Sequence, residues 1–370
     1  MVKMKYCVRC VMPATRPRIS FSEEGVCNAC QWAEEKQTAI NWDERWKALQ
    51  SYCDKYRSRE GDFDVIVPVS GGKDSCYVAW KMKHELGMHP LLVHIAPPLP
   101  FEIGEKNLEQ LINGGFDCVR VHPNPEISRQ LALAEMHGFG DPLMSWMISV
   151  RSAVFRYAVK FNIPLIMWGE DGEIEYGGLT NSKYTPFHDR NYELNILLSG
   201  NDPEKYVGRF SRGDLYFWLL PTQEEYDNTG IANMHFNYFD RWDQYRNYML
   251  AKDKFGLGEK KGRNVGTYTN FAQTDSAMFD LHCYFMYLKF GFGRCTADAC
   301  IDVRRGAMDR AQAVNLIRKL DNAYPEEYVQ QYLEYFRIDL DEFQRAIDTH
   351  ANKSLFEKVS GRWLPIFEVQ

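Results

Sequence analysis

The run Ser70-Gly71-Gly72-Lys73-Asp74-Ser75 follows the apolar stretch Val65-Ile66-Val67-Pro68-Val69 and opens a helical pattern. No other junction constrains the chain as much. A short apolar strand turning through glycines into a helix is the unit of an open α/β sheet, with helices covering both faces. The same junction is built for an anion. Two glycines let backbone N–H groups point into one concave space, the helix presents its positive end, and Lys73 adds a mobile cation. The alternative is a tight strand-to-helix turn with Asp74 complementing the helix dipole. Such a turn needs one glycine and no lysine.

The loop is not a Walker A motif, which has a longer glycine spacing and ends Gly-Lys-Ser/Thr. It resembles the PP-loop of ATP pyrophosphatases, which implies cleavage of ATP between the α and β phosphates. The rest of the chain agrees with that setting. From Asp64, strands and helices alternate: Asp64 to Ser70 strand, Asp74 to Leu86 helix, Pro90 to Ala96 strand, a helix near Glu105 to Asn113, Cys118 to His122 strand, Ser145 to Phe161 helix and Pro164 to Gly169 strand. The expected fold is therefore α/β, a doubly wound and mostly parallel sheet. Ligands of such sheets bind beyond the carboxyl ends of the strands, at a topological switch point. Those ends carry Ser70 to Ser75, His94-Ile95-Ala96, His122-Pro123-Asn124 and Gly169-Glu170-Asp171.

Ten cysteines raise the question of disulfides, but four fall as Cys7-x-x-Cys10 and Cys27-x-x-Cys30 with sixteen residues between the pairs. That spacing reads as a zinc ribbon, each pair giving two thiolates to one tetrahedral ion. An iron–sulfur cluster and a redox-active pair are the alternatives. Cys53, Cys76, Cys118, Cys283, Cys295 and Cys300 show no pairing and read as small apolar fillers. A net charge of −6 argues against a protein that coats nucleic acid. No apolar run reaches membrane-spanning length and the first residues lack a signal-peptide core, so a soluble, cytoplasmic protein is expected.

The chain divides into a ribbon at 1–35, a helical linker at 36–62, a nucleotide domain at 63–255 and a helical region at 256–370. Periodicity weakens beyond Asp171. Residues 176–250 read as an insertion shaping an acceptor pocket, with either Leu215 to Leu220 or His235 to Phe239 as a further strand. Helices return at Asp275 to Phe290, Ala311 to Lys319, Pro325 to Phe336 and Asp339 to His350. In Lys289-Phe290-Gly291-Phe292-Gly293-Arg294, continuing to Asp298, Asp302, Arg304 and Arg305, glycines break a helix and release basic side chains to meet an anion. A helix corner with solvated charges is the competing reading. The loop Lys260 to Tyr268 also carries cations and glycines, but reads first as an ordinary surface loop.

Tyr6-Cys7-x-x-Cys10-Val11-Met12-Pro13 with Cys27-Asn28-Ala29-Cys30, the Ser70 to Ser75 loop, and Lys289 to Arg294 with Asp298 and Arg304 together resemble the N-acetyl sugar amidotransferases of bacterial surface-polysaccharide biosynthesis. The resemblance implies amidine formation on an acetamido group of a nucleotide-linked sugar, for lipopolysaccharide O-antigen or a related glycan. Under it ATP, Mg²⁺ and Zn²⁺ are the expected cofactors. Ser70, Gly71, Gly72 and Ser75 would hold the phosphates, Lys73 would neutralise the leaving pyrophosphate, and Asp74 would bind Mg²⁺. His94, Gly169 and Glu170 complete the expected nucleotide site, with Glu170 and Asp171 sharing the ion or touching the ribose, and Lys289 and Arg294 are the expected anion contacts of the second half.

A glutaminase needs an activated cysteine, and no Gly-x-Cys-x-Gly elbow occurs. Ammonia is therefore expected from a separate glutaminase through a barrel-type channel subunit, a pair similar to imidazole glycerol phosphate synthase. Two rivals remain. A tRNA-thiolating enzyme would combine a ribbon and a PP-loop with a catalytic cysteine pair and a basic surface; a non-catalytic scaffold would bind ATP only as a regulator.

Overall fold

The computed structural model describes residues 2–370. After the cysteine-bearing N-terminal segment come α1 (Asn28–Thr38) and α2 (Trp42–Tyr56), then β1 (Val65–Pro68). α3 (Lys73–Trp80) continues as a wide turn over Lys81–Glu85 and leads to β2 (Pro90–Ile95), α4 (Glu102–Asn113), β3 (Asp117–Val121), α5 (Pro125–Phe139), α6 (Met144–Lys160) and β4 (Leu165–Trp168). The five strands, completed by β5 (Ala232–His235), run in the order β3-β2-β1-β4-β5, all parallel. The chain thus winds outward from β1 through β2 to β3 and returns to the other side of β1 as β4. The crevice between the ends of β1 and β4 is the switch point.

Strand side chains alternate between two cores. Val65, Val67, Leu92, Met167 and Met234 join α2, α3 and later helices on one face, while Ile66, Leu91, Val93 and Ile166 meet α6 on the other. Burial on both faces explains why β1 and β2 read as unbroken apolar runs. α5 is not among the expected elements, although its start is clear: Pro125 takes the first turn, and the Asn124 side chain accepts from the Glu126 and Ile127 N–H groups.

Between β4 and β5 lie α7 (Gly172–Tyr176), the single turn α8 (Arg190–Tyr192) and α9 (Gln223–Thr229). Leu215 to Leu220 is not a strand. Its apolar side chains pack as turns against α5 and α6, and the Leu219 carbonyl accepts from Ser152 and Arg156. The fifth strand starts earlier than the alternative expectation, at Ala232, and ends at His235; Phe236 to Tyr238 forms a tight helical turn.

The second half is helical: α10 (Gln244–Phe255), α11 (Ala277–Phe290), α12 (Arg294–Arg304), α13 (Arg310–Leu320), α14 (Val329–Phe336) and α15 (Leu340–His350), closed by the hairpin β6 (Phe356–Val359) and β7 (Arg362–Pro365). The segment after Gly293 is thus helix rather than open loop. The cysteine segment packs on α12 and α13 in one apolar core. Val2 bridges to Phe367, so the two ends of the described chain meet. No helix among the described residues is long and apolar enough to cross a membrane.

Candidate active site

The loop between β1 and α3 forms one wall of a cavity of about 350 Å³. Gly71 sits at φ +83°, and a Cβ there would lie 2.6 Å from the Leu108 backbone nitrogen, so α4 approaches too closely for any side chain. Gly72 starts α3 without a side-chain cap, leaving the first-turn N–H groups for a ligand. The Ser75 hydroxyl donates to the Gly72 carbonyl at 3.0 Å. Lys73 is only 6% exposed and pairs with Asp74. The other Asp74 oxygen accepts from Asn247 Nδ2 at 2.9 Å. Asn247 is fully buried on α10, so that helix fixes the carboxylate.

Glu170, just beyond β4, lines the same cavity. Its carboxylate accepts from Trp242 Nε1 at 2.9 Å and from the Tyr176 hydroxyl at 3.1 Å. Gln244 Nε2 donates to that hydroxyl at 2.6 Å. Burial first, and then the negative charge of Asp74, push the Glu170 carboxyl up to about 7. A carboxyl poised near neutrality suits proton transfer, and a bound cation would favour its ionised form.

The opposite wall comes from the second half. Gly104 on α4 lets residues 274–275 pass close, since a Cβ there would be 2.7 Å from the Asp275 Cα. Phe101 N–H donates to the Asp275 carbonyl at 3.0 Å, and Ser276 caps α11. Behind this strap stands Arg294, the first residue of α12, 4% exposed. Its Nη2 donates to the Ala272 carbonyl at 2.6 Å, with Asp280 and Asp298 at 3.8 and 3.9 Å. Its Nη1 has no hydrogen-bond partner among the described residues. A buried guanidinium that lines a cavity with a donor unspent is placed for an anionic ligand.

The structure therefore brings Ser70, Gly71, Gly72, Lys73, Asp74, Ser75, Glu170 and Arg294 to one cavity. Four expected residues lie elsewhere. Lys289 is at the far end of α11, where its ammonium donates to the Phe139 carbonyl at 2.8 Å; ten residues of helix, about 15 Å, separate it from Phe279 at the cavity. His94 sits beneath the loop, its Nδ1 3.0 Å from the Val69 carbonyl, and burial pushes its pKa down. It shapes the loop rather than lining the cavity. Gly169 lies beside the cavity: a Cβ there would be 3.8 Å from that of Asp74. Asp171 turns away to cap α7 and to accept from Tyr192 at 2.8 Å. In the loop after α10, Lys260 donates to Tyr328 at 2.6 Å, while Thr267 and Thr269 hold Asp298. Sequence reasoning missed Tyr176, Gln244 and Asn247, none of which carries a local signal.

Trp146 also lines an adjoining apolar pocket of about 280 Å³ at the ends of β2 and β3, with Ala96, Leu99, His122, Pro123 and Trp218. Past the far end of α12 the four cysteine sulfurs lie within 4.8 Å of one another, Cys7 to Cys30 at 3.8 Å and Cys10 to Cys27 at 3.7 Å. Four thiolates about 2.3 Å from one central ion form a tetrahedron with edges of about 3.8 Å. This is a metal-binding site. The Cys27 and Met12 N–H groups donate to Cys7 and Cys10 sulfurs at 3.2 and 3.4 Å. Cys300 is more than a filler, since its sulfur accepts from Val11 N–H at 3.4 Å and docks α12 on the ribbon.

A parallel sheet whose Ser-Gly-Gly-Lys-Asp-Ser turn lies at the switch point is the fold of the PP-loop ATP pyrophosphatases. Residues 265–368 match the family model of LPS biosynthesis protein WbpG-like, C-terminal domain. The chain thus joins a loop of PP-loop type to a segment similar to a domain of an LPS biosynthesis protein, in agreement with the resemblance drawn from the motifs. Among solved structures, the chain is similar to an NH3-dependent NAD synthetase from Campylobacter jejuni (16% identity, 47% of this chain and 79% of that one, TM-score 0.31). It is also similar to the U34-tRNA thiolase NcsA with its [4Fe-4S] cluster from Methanococcus maripaludis (11%, 83% and 88%, 0.29) and to an NMN synthetase from Francisella tularensis (13%, 59% and 94%, 0.27). All three are distant. No curated protein matches the chain.

Proposed function

We propose that this protein is an ATP-dependent amidotransferase of LPS biosynthesis that converts the acetamido group of a nucleotide-linked sugar to an acetamidino group. One observation carries the reading: the PP-loop and the WbpG-like segment face each other across a single cavity, with Lys73 on one wall and the unspent Arg294 donor on the other.

An amide carbonyl is a poor electrophile. Attack of its oxygen on the α-phosphorus of ATP forms an O–P bond and expels pyrophosphate, leaving an O-adenylyl imidate. Ammonia then adds to the imidate carbon, a proton is lost, and AMP departs with the oxygen. The loop N–H groups, Ser70 and Ser75 hold the β and γ phosphates, and Lys73 offsets charge growing on the leaving group. Asp74, with Glu170, would hold Mg²⁺, which neutralises phosphate charge. The apolar pocket that shares Trp146 would take the adenosine end. For the cysteine site zinc is the assignment, because a four-iron cluster holds its thiolates on four separate irons and spreads them farther than 3.7 to 3.8 Å.

No cysteine among the described residues lines the cavity, and Cys76 is fully buried behind the loop, which favours this reading over tRNA thiolation. The ammonia would arrive from a separate glutaminase through a barrel-type channel subunit. The test incubates the protein with ATP, Mg²⁺, high ammonium and a panel of acetamido nucleotide sugars, and reads products by mass spectrometry. AMP formed together with exchange of one oxygen for NH is expected; AMP formed only with tRNA would overturn the assignment. Full activity with glutamine and no partner would overturn the external ammonia source.

A further inference from the structure

A second pocket, of about 320 Å³, opens between α1, α10 and α12. Its lining carries five cations, Lys36, Arg241, Arg246, Arg304 and Arg305, against two carboxylates, Glu175 and Asp243. Part of this charge is balanced. Lys36 pairs with Glu175 at 2.7 Å, Arg246 with Asp240 at 2.8 Å, and Arg305 with Asp302 at 2.9 Å. Arg304 bonds the Glu175 carbonyl at 3.2 Å and approaches Cys10 sulfur at 3.9 Å. Arg241 is exposed at the rim, and the buried Arg246 Nε has no partner among the described residues. With Asp240 and Asp302 counted beside the lining, and Asp243 3.7 Å from Arg305, five cations meet four carboxylates and Arg241 is left outside these pairs, in a protein whose net charge is −6. A concentration of cations against the overall balance attracts a compact polyanion.

The pocket adjoins the loop cavity. Gln244 lines both, and the bonded series Trp242, Glu170, Tyr176, Gln244 forms the partition. A ligand whose anionic part rests among the arginines presents its next group at Gln244, beside Glu170 and Asp74. We propose that this basic pocket binds the diphosphate of the nucleotide-linked acceptor and thereby delivers its sugar to the loop cavity, an inference that rests on the amidotransferase reading. Diphosphate chemistry has two sources here, the acceptor and the pyrophosphate released from ATP. Pyrophosphate forms on the loop side of the partition, whereas the rim at Arg241 opens to solvent, where an acceptor enters.

The experiment is titration calorimetry on the full, metal-loaded chain with UDP, GDP and dTDP, with inorganic pyrophosphate and with α,β-methylene ATP as separate arms. At least one nucleoside diphosphate is expected to bind, and Arg241→Ala/Arg305→Ala to weaken it at least about tenfold, with α,β-methylene ATP unchanged within about twofold. Arg241→Glu repeats the measurement at a rim residue outside the ion pairs named above. No binding by any nucleoside diphosphate, or binding indifferent to both variants, overturns the proposal. A loss confined to pyrophosphate also overturns it and marks a product exit. If diphosphate binding depends on these arginines but no acetamido sugar is ever converted, the pocket stands and the reaction reading falls; conversion with unchanged acceptor KM in both variants does the reverse.

Discussion

Gly71 shows how little freedom the site allows a single residue. Its φ is positive and a Cβ would stand 2.6 Å from the Leu108 backbone, so Gly71→Ala must move either the loop or α4. We expect a loss of about 1–3 kcal/mol in stability, read by denaturant titration, and no measurable ATP turnover. Lys73→Ala and Arg294→Ala should each lower kcat by about 10²–10³-fold, measured as AMP release, if both donors serve charge that develops in the reaction. Glu170 predicts a pH effect. Its folded carboxyl is raised to about 7 from an ordinary 4.5, so its protonated form favours the fold. That contribution is complete below about 4.5 and is lost as pH rises through 7. Without ATP and Mg²⁺, Tm should fall across this window, and Glu170→Gln should flatten the fall. The loop residues were legible in the sequence because they are contiguous. Asn247 was not, because it meets Asp74 across 173 residues.

At the scale of elements, α10 and α12 do for the cavity what the loop cannot do alone. Asn247→Ala should leave α10 folded but free Asp74, raising KM for ATP more than it lowers kcat. α12 carries Arg294 at its start and Arg304 at its end, and it is docked on the cysteine segment through Cys300. Metal removal should therefore reach the active site: chelation, or Cys10→Ser, should lower Tm and abolish AMP formation together, with metal content read by mass spectrometry. The first four strands and their mostly parallel setting were legible from apolar runs and the βα alternation, but not their order in the sheet. The region between β4 and β5 was not, because its apolar residues are buried by turns, where no period of two or 3.6 marks them. Lys289 misled for a related reason. The motif is contiguous, but a helix end and Gly291, at φ +76°, send its two cations to different places.

Across the whole molecule, the cavity is shared between sequence-distant halves: strand ends from the sheet on one side, and the strap at 272–275 with α11 and α12 on the other. The composite was hidden from the sequence, which shows two motifs but not that they face each other. The bridge between Val2 and Phe367 and the packing of the N-terminal cysteines on α12 and α13 extend this sharing to the ends of the described chain. During synthesis the loop leaves the ribosome long before α12 exists. A nascent chain can own a nucleotide loop and still lack Arg294, the strap and the surface on which its cysteine segment rests. Such a fragment lacks one wall of the cavity, so the architecture should serve as a completion check, withholding chemistry until α12 is in place.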